Sequence, residues 1–225
     1  MNYFENKTVV VIGATGSLGQ LMALELRERG ADVRLIVRNP NSLATGLRDL
    51  PYAVADIKER GEVAAAFTAI SNGQSVDGII NCTGVVAFGG FSELSDEVAR
   101  ELMAVNALGV INVISLATTS LKPQGFLASF TGVAADMAIL GMGAYCASKA
   151  AAKMAMGVAA RELRREKISV LDIRAPHIET GLITRALEGT APRMPEGLAP
   201  QAVIERVLEA IATGEKDLPA EAFTA

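Results

Sequence analysis

The sequence contains no tryptophan and few other aromatic residues, although half of its 225 residues are hydrophobic. Its core must therefore be built from alanine, valine, leucine, isoleucine and methionine, a composition that suits strands buried on both faces. The length is typical of one α/β domain around one core, and no internal repeat, low-complexity tract or linker divides the chain. We expect residues 1–225 to form a single domain.

Cysteine and histidine are also scarce, and the net charge is modest. Cys82 and Cys146 have the spacing of neither a metal-binding knuckle nor a redox CxxC pair, so we expect two reduced thiols and no metal site. The net charge is −4 and the basic residues are scattered, which argues against a nucleic-acid partner. Residues 1–7 are too short and polar to be a signal peptide. These features indicate a cytoplasmic protein.

The longest apolar stretch, residues 126–145, has about the length that crosses a bilayer. It contains Asp136 and several glycines, which a membrane-spanning helix would not favour. We predict a buried strand followed by a loop in this stretch, and we expect no membrane partner.

Short apolar runs alternate with helical patterns along the chain, and this alternation indicates a parallel sheet. Helices are predicted at Ser17–Arg29, Ser95–Leu121 and Gly143–Glu166. The last two have small residues on more than one face, so we expect them to form the interface of a homodimer or homotetramer as well as a layer of the domain.

Residues 180–200 are predicted to be a flexible substrate loop. We predict an α/β domain with a single doubly wound parallel sheet, a Rossmann fold with helices on both faces, and strands at Thr8–Ile12, Val33–Val37, Tyr52–Val54, Gly78–Asn81, Gly125–Phe130 and Ser169–Ile173.

Three glycines, Gly13, Gly16 and Gly19, lie where the first predicted strand turns into the first helix. Such a turn brings backbone N–H groups and the positive end of a helix onto a pyrophosphate. The alternative is a tight turn without a ligand, but the strand before and the helix after meet the requirements of the dinucleotide motif. We therefore expect a dinucleotide to contact Gly13, Thr15, Gly16, Ser17, Leu18 and Gly19.

The end of the second predicted strand indicates which dinucleotide is bound. An acidic residue there would bind a ribose 2′-hydroxyl, but the position holds Val37 and the next residue is Arg38. A guanidinium pairs with a 2′-phosphate through two hydrogen bonds, and no carboxylate is present to repel that phosphate. Unless Arg38 is simply a solvated side chain at a strand end, the pattern favours NADP(H) over NAD(H).

Tyr145 and Lys149 are four residues apart on a predicted helix, so they share one face. A phenol titrates near pH ~10, but a nearby ammonium stabilises the phenolate and lowers that pKa. Tyr145 then becomes a proton donor and acceptor for a carbonyl or alcohol, while a cofactor carries the hydride. The alternative is a core aromatic residue beside a solvated lysine.

The segment Tyr145-Cys146-Ala147-Ser148-Lys149 and the glycine loop together resemble the short-chain dehydrogenase/reductase family. Over residues 7–181 the chain matches the family's order at Asp56-Ile57, Asn81-Cys82-Thr83-Gly84, Asn106 and the segment from Arg174 to Thr180. The resemblance implies an oxidoreductase in which Lys149 also holds the nicotinamide ribose and Asn106 anchors a proton-relaying water. It further implies that Asp56 and Ile57 contact the adenine, and that Asn81 and Gly84 line the cofactor groove. Ile178 and Thr180 would contact the nicotinamide carboxamide. For Asp56 and Asn81, a helix cap and a tie between two strands are the structural alternatives.

The chain departs from the family pattern in its glycine spacing, GxxGxxG, and at the residue 13 positions before Tyr145. That position is a serine in the family and is Gly132 here, with Thr131 just before it and Ser129 two residues earlier still. We predict that Thr131 supplies the substrate-orienting hydroxyl through a bulge or an early end of the fifth strand, an ordinary strand threonine being the alternative. His177, the only histidine, is expected to be a loop residue near the cofactor.

Two functions are consistent with these features. The first is an NADP-dependent reductase or dehydrogenase acting on a small, mostly apolar ketone or secondary alcohol, with the catalytic residues Tyr145, Lys149, Asn106 and Thr131. The second is a redox-silent dinucleotide-binding sensor or scaffold protein, which the missing serine favours. An extended-type epimerase of nucleotide sugars is a weaker third hypothesis, since the chain is too short for a substantial substrate domain.

Overall fold

The computed structural model describes residues 2–223 and contains, within them, one sheet of seven parallel strands. The spatial order reverses at the first strand, whose two neighbours are the second and the fourth, so the sheet is doubly wound as predicted. In chain order the strands are β1 (Thr8–Ile12), β2 (Asp32–Val37), β3 (Tyr52–Val54), β4 (Val76–Asn81), β5 (Leu121–Phe130), β6 (Ser169–Ile173) and β7 (Asp217–Leu218). They lie side by side in the order β3-β2-β1-β4-β5-β6-β7.

Two differences from the predicted strands have local causes. The predicted strand Gly125–Phe130 is the second part of β5, which begins at Leu121 and shifts register against β4 before it continues. The short strand β7 was not predicted, because two residues are too few to show any period. Leu218 of β7 is nevertheless fully buried and pairs with Ile173 of β6.

Helices cover both faces of the sheet, as predicted. They are α1 (Ser17–Glu28), α2 (Arg60–Ser71), α3 (Asp96–Met103), α4 (Gly109–Ser120), α5 (Gly143–Glu162) and α6 (Pro200–Thr213). Met22 of α1 and Val207 of α6 are buried in one apolar layer, and Phe67 of α2, Val113 of α4 and Met156 of α5 are buried in the other. Two apolar layers therefore enclose the sheet, which agrees with strands that are buried on both faces.

The predicted helix Ser95–Leu121 is interrupted by a π-helical turn at Ala104–Leu108, which contains the buried Asn106. Such turns are frequent at functional sites. By length and composition the segment Asp96–Ser120 is apolar enough to cross a membrane, but half of its most apolar stretch is buried inside the domain. That burial is expected of a core helix in an α/β fold.

Residues 180–200 fold over the carboxyl edge of the sheet, against the residues that follow β4. The Leu187 N–H donates to the Val86 carbonyl at 2.8 Å, and the Phe88 N–H donates to the Glu188 carbonyl at 2.9 Å. The Glu188 carboxylate accepts a hydrogen bond from the Ser95 hydroxyl at 2.7 Å. The segment thus closes one side of a pocket, and its flexibility stays a prediction.

Candidate active site

The glycine loop between β1 and α1 is packed too tightly for side chains at two positions. Gly13 has a φ of +87°, and a Cβ added there would lie 2.8 Å from Cγ2 of Thr83. A Cβ on Gly19 would lie 2.3 Å from the Gly13 carbonyl oxygen. Helix α1 begins directly after Gly16, so its free N–H groups open onto the pocket that Gly16, Ser17 and Leu18 line. This is the geometry of an anion-binding helix start.

The segment after β6 closes on the beginning of α1. The Ser17 hydroxyl donates to the Thr180 carbonyl at 2.8 Å, and Ile178 and Thr180 both line the pocket. On the other side, the Thr15 carbonyl accepts a hydrogen bond from the Gln20 side chain at 3.0 Å. The structure therefore brings the predicted pyrophosphate and carboxamide residues to one end of the pocket.

The predicted adenine end lies beyond β2 and β3. Arg38 follows β2 directly, is exposed, and makes no hydrogen bond or ion pair with another residue in the described range 2–223. The Asp56 carboxylate accepts the Lys58 N–H at 3.0 Å, and Ile57 is buried beneath Gly109, where an added Cβ would lie 3.0 Å from its side chain. The Arg38 guanidinium is thus available to a ligand, whereas Asp56 and Ile57 already make local contacts.

Asn81, at the end of β4, ties two strands together. Its Nδ2 donates to the Ser129 hydroxyl of β5 at 3.1 Å, and its Oδ1 accepts the Thr83 N–H and hydroxyl at 3.1 and 2.7 Å. The Asn81 side chain therefore makes its hydrogen bonds inside the protein, which agrees with the alternative that it ties two strands together. Gly84 lies nearby, and a Cβ added there would be 3.4 Å from Lys149 Nζ.

Helix α5 places Tyr145 and Lys149 one turn apart in the pocket lining, with Lys149 Nζ 5.9 Å from the centre of the Tyr145 ring. Lys149 Nζ donates to the Phe130 carbonyl at 3.0 Å. The ammonium is therefore fixed between the end of β5 and the tyrosine. The spacing of four residues predicted this shared face, and the structure has it.

The π-helical turn brings Asn106 to the same place from the other side. Its Oδ1 accepts the Val85 N–H at 3.0 Å, and its Nδ2 donates to the Val85 carbonyl and to the Ser148 hydroxyl at 2.9 and 3.0 Å. Ser148 in turn donates to the Tyr145 carbonyl at 2.7 Å. The Asn106 side chain thus holds the loop after β4 against the start of α5.

Burial changes the proton affinity of both catalytic candidates. It raises the pKa of the Tyr145 hydroxyl to about 12, and Cys146 adds to this rise. It lowers the pKa of the Lys149 ammonium to about 8, although the negative charge of Asp172 acts in the opposite direction. The prediction that the pKa of Tyr145 is lowered is therefore wrong for this structure, because loss of water raises it and Lys149 is not among the groups that shift it. Burial also raises the pKa of the Cys82 thiol to about 12, so the pocket holds no thiolate at neutral pH.

Thr131 lies at an irregularity at the end of β5, where the N–H groups of Thr131 and Gly132 both donate to the Ile173 carbonyl at 3.0 Å. Of the two predicted forms, a bulge or an early end of the strand, the structure has the early end, because β5 stops at Phe130. The Thr131 hydroxyl, however, donates to Asp172 Oδ1 at 2.5 Å, and the residue is fully buried outside the pocket lining. The prediction that Thr131 presents its hydroxyl to a substrate is wrong, because a neighbouring strand supplies a buried carboxylate that takes it.

The pocket between these elements has a volume of about 250 Å³. His177 lies in its wall, with a side chain that is only 14% exposed and Nε2 3.3 Å from Glu179 Oε1. Part of the apolar wall comes from the predicted substrate loop 180–200, whereas the rest comes from separate segments that carry no local signal. Its members include Val86, Phe88, Ala134, Ile139, Met142, Leu182, Ile183 and Met194.

Comparison with known proteins gives consistent matches. A family model described as short chain dehydrogenase matches residues 7–190. The chain is 27% identical over 237 residues to the mouse dehydrogenase/reductase SDR family member 7B, covering 96% of this chain and 73% of that protein. It is 26% identical over 192 residues to L-xylulose reductase of Caenorhabditis elegans, covering 80% and 76%. A short chain dehydrogenase from Burkholderia cenocepacia J2315, solved in complex with NADP, is similar in structure, with a TM-score of 0.84, 28% identity and coverage of 98% and 90%.

Proposed function

Because the chain belongs to the short-chain dehydrogenase family, and is thus an NAD(P)-dependent dehydrogenase or reductase, we propose that it reduces a small apolar ketone with NADPH and uses Tyr145 as the proton donor. The observation that carries this proposal is the position of Tyr145 and Lys149 in an apolar pocket that continues to the glycine loop. The related structure from Burkholderia cenocepacia, which holds NADP, supports the choice of cofactor.

The residues present fit a dinucleotide. The tight packing of Gly13 against Thr83 and of Gly19 against the Gly13 carbonyl fixes the turn, and the backbone N–H groups at the start of α1 open onto the pocket, which suits a diphosphate. Lys149 and Thr180 would hold the nicotinamide half, and Arg38 the 2′-phosphate of the adenosine half. The bound nicotinamide supplies the hydride, and the chain's own residues supply the proton and the orientation.

The pocket holds a group that can supply the proton for a reduction. With its pKa raised to about 12, Tyr145 carries its proton at neutral pH and donates it to a carbonyl oxygen. Lys149, fixed on the Phe130 carbonyl, places positive charge beside the phenolate that this transfer leaves. Asn106 keeps the start of α5 in register through Val85 and Ser148.

The cofactor preference is tested at Arg38. We expect Arg38→Ala to weaken NADP(H) binding by about 1.5–3 kcal/mol, as for loss of a hydrogen bond to a charged group, and to leave NAD(H) binding nearly unchanged. Isothermal titration calorimetry with both cofactors measures this. Arg165→Ala is the control, since Arg165 is exposed in the turn that precedes β6, which lies on the other side of β1 from β2 in the sheet. Equal affinity of the unmodified protein for both cofactors would contradict the preference.

The predicted homodimer or homotetramer is also a proposal, and it is supported by an exposed apolar stripe on the helix layer. Leu108 and Met154 are 55% and 70% exposed, and Ile111 and Val158 lie one turn further along the same helices. Leu108→Glu combined with Met154→Glu should lower the particle mass in light scattering, from a dimer to the monomer or from a tetramer to a smaller assembly, because two buried carboxylates would oppose the interface. Leu140→Glu, in the loop before α5, is the control, and an unchanged mass in the double variant would contradict this interface.

The second candidate function is a redox-silent dinucleotide-binding protein. Gly132 in the pocket wall and the engaged hydroxyl of Thr131 favour it, because neither offers a hydrogen bond to a substrate. Oxidation of NADPH with a panel of small ketones separates the two functions. Binding of NADPH without turnover of any ketone would support the second.

A further inference from the structure

Arg185 lies in the segment 180–200, in a short 3₁₀ turn at Ile183–Arg185, and its side chain lines the pocket. The guanidinium is anchored on the backbone of the same segment, because Nε donates to the Gly181 carbonyl at 3.1 Å and Nη2 donates to the Thr180 carbonyl at 3.2 Å. Within residues 2–223, Nη1 makes no hydrogen bond and the side chain forms no ion pair. The turn therefore holds a charged guanidinium at the pocket with N–H groups left for a ligand.

The Thr180 carbonyl connects Arg185 to the start of α1. The same oxygen accepts the Ser17 hydroxyl at 2.8 Å, so the donor atoms of Arg185 and Ser17 lie within two hydrogen-bond lengths of each other. Ser17 is the first residue of α1, and the N–H groups of the first turn of a helix have no partner inside the helix. Donors from the segment 180–200 and from the helix start thus converge at one end of the pocket.

The charges that line the pocket favour an anion at this end. Lys149 and Arg185 both contribute to the lining, whereas no aspartate or glutamate in the described part of the chain does. The end that contains Tyr145 is apolar, and Leu182 and Ile183 of the same turn pack in the apolar cluster there. The turn therefore contributes apolar side chains to the reacting end and its guanidinium to the helix start.

We propose that Arg185 is a cofactor-binding residue, which contacts the diphosphate of the dinucleotide together with the N–H groups at the start of α1. The inference rests on the dinucleotide site of the proposed function and adds to it a residue from the segment 180–200. A guanidinium suits this role, because it pairs with phosphate oxygens through two hydrogen bonds. Since Leu182 and Ile183 belong to the same turn, the contact also couples cofactor binding to the position of the pocket wall.

The test compares Arg185→Met with Arg185→Lys in the full-length protein, using NADPH and NADH, which have the same diphosphate. We expect Arg185→Met to raise the Kd for both cofactors by a similar factor of about 10- to 100-fold, the range for a hydrogen bond between charged groups. Arg185→Lys retains the charge and should recover most of that loss. The effect of Arg185→Met should shrink as sodium chloride is added, because salt screens the attraction. Arg38→Ala, in contrast, should raise the Kd for NADPH alone, and cofactor fluorescence measures every Kd.

The matched control is Arg193→Met, because Arg193 is exposed in the same segment but does not line the pocket. It should leave both Kd values unchanged. Unchanged Kd values in Arg185→Met would overturn the assignment, even if the KM for a ketone rose. A loss confined to NADPH would overturn it in favour of the 2′-phosphate. An equal, salt-independent loss in Arg185→Met and Arg185→Lys would overturn it in favour of a purely structural role.

These results are separable from the proposed function, because the Kd values do not depend on turnover. If the parent binds NADPH but reduces no ketone, the proposed function fails and the assignment of Arg185 is still decided by the Kd values. If the parent binds neither cofactor, the proposed function and the assignment of Arg185 both fail.

Discussion

Replacement of Tyr145 by phenylalanine is expected to lower kcat for ketone reduction by about 10²- to 10⁴-fold, the usual contribution of a positioned proton donor. The variant loses only the hydroxyl, so the ring still packs beside Lys149. The Kd for NADPH should be unchanged, because the glycine loop, Arg38 and the segment around Thr180 are intact. The measurements are initial rates of NADPH oxidation and a fluorescence titration of the cofactor.

The matched control is Tyr52→Phe, which removes a hydroxyl from a tyrosine that is 47% exposed on the edge strand β3. It should keep full activity. If Tyr145→Phe retained a rate comparable to that of Tyr52→Phe, proton transfer would have to be assigned to another group, and His177 in the pocket wall would be the first to examine.

Replacement of Lys149 by methionine is expected to have two opposite effects. The reduction rate should fall by about 10²-fold or more, because the positive charge beside Tyr145 is lost. The free energy of unfolding at neutral pH should rise by on the order of 1–3 kcal/mol, because a buried ammonium is replaced by an apolar chain of similar length. Denaturant unfolding and the rate assay measure the two effects in the same preparation.

The pH dependence identifies the cause of that stabilisation. Burial lowers the pKa of Lys149 to about 8 in the folded protein, against an ordinary value of 10.5. Between these two pH values the unfolded chain therefore binds more protons than the folded protein. The cost of burying the Lys149 ammonium lowers the stability of the parent by its full amount below about pH 8, and this cost disappears as the pH rises to 10.5. The stability difference between Lys149→Met and the parent should shrink over that window. Lys216→Met, at an exposed lysine, should show no such trend, and a less stable Lys149→Met would contradict the prediction.

Most of the sheet could be predicted from the sequence, because its strands are short apolar runs buried on both faces. Thr8–Ile12, Tyr52–Val54 and Ser169–Ile173 have the predicted bounds. The π-helical turn around Asn106 could not be predicted, since an apolar pattern continues through the whole segment from 96 to 120. Helix α6 was missed although Pro200 begins it and Gly214 follows it, which are ordinary start and stop signals.

The site was predictable where the chemistry depends on local spacing. The glycine loop and the pair Tyr145 and Lys149 are each set by a few consecutive residues, and the structure brings them into one pocket. The direction of the Thr131 hydroxyl depends instead on Asp172, which lies 41 residues away on the next strand. The raised pKa of Tyr145 likewise depends on burial by segments that are distant in sequence. Tertiary contacts, which no local pattern encodes, account for both errors.

The central claim is that this chain transfers a hydride from NADPH to a ketone with Tyr145 as the proton donor. The most direct measurement follows deuterium from NADPH that is deuterated at both C4 positions into the alcohol product of cyclohexanone or acetophenone, with the parent and with Tyr145→Phe at saturating cofactor. We predict that the parent places deuterium on the carbinol carbon of at least one product, and that Tyr145→Phe binds the cofactor but forms almost none of that product. Equal deuterium transfer by the two proteins, or none by a parent that binds NADPH, would contradict the claim.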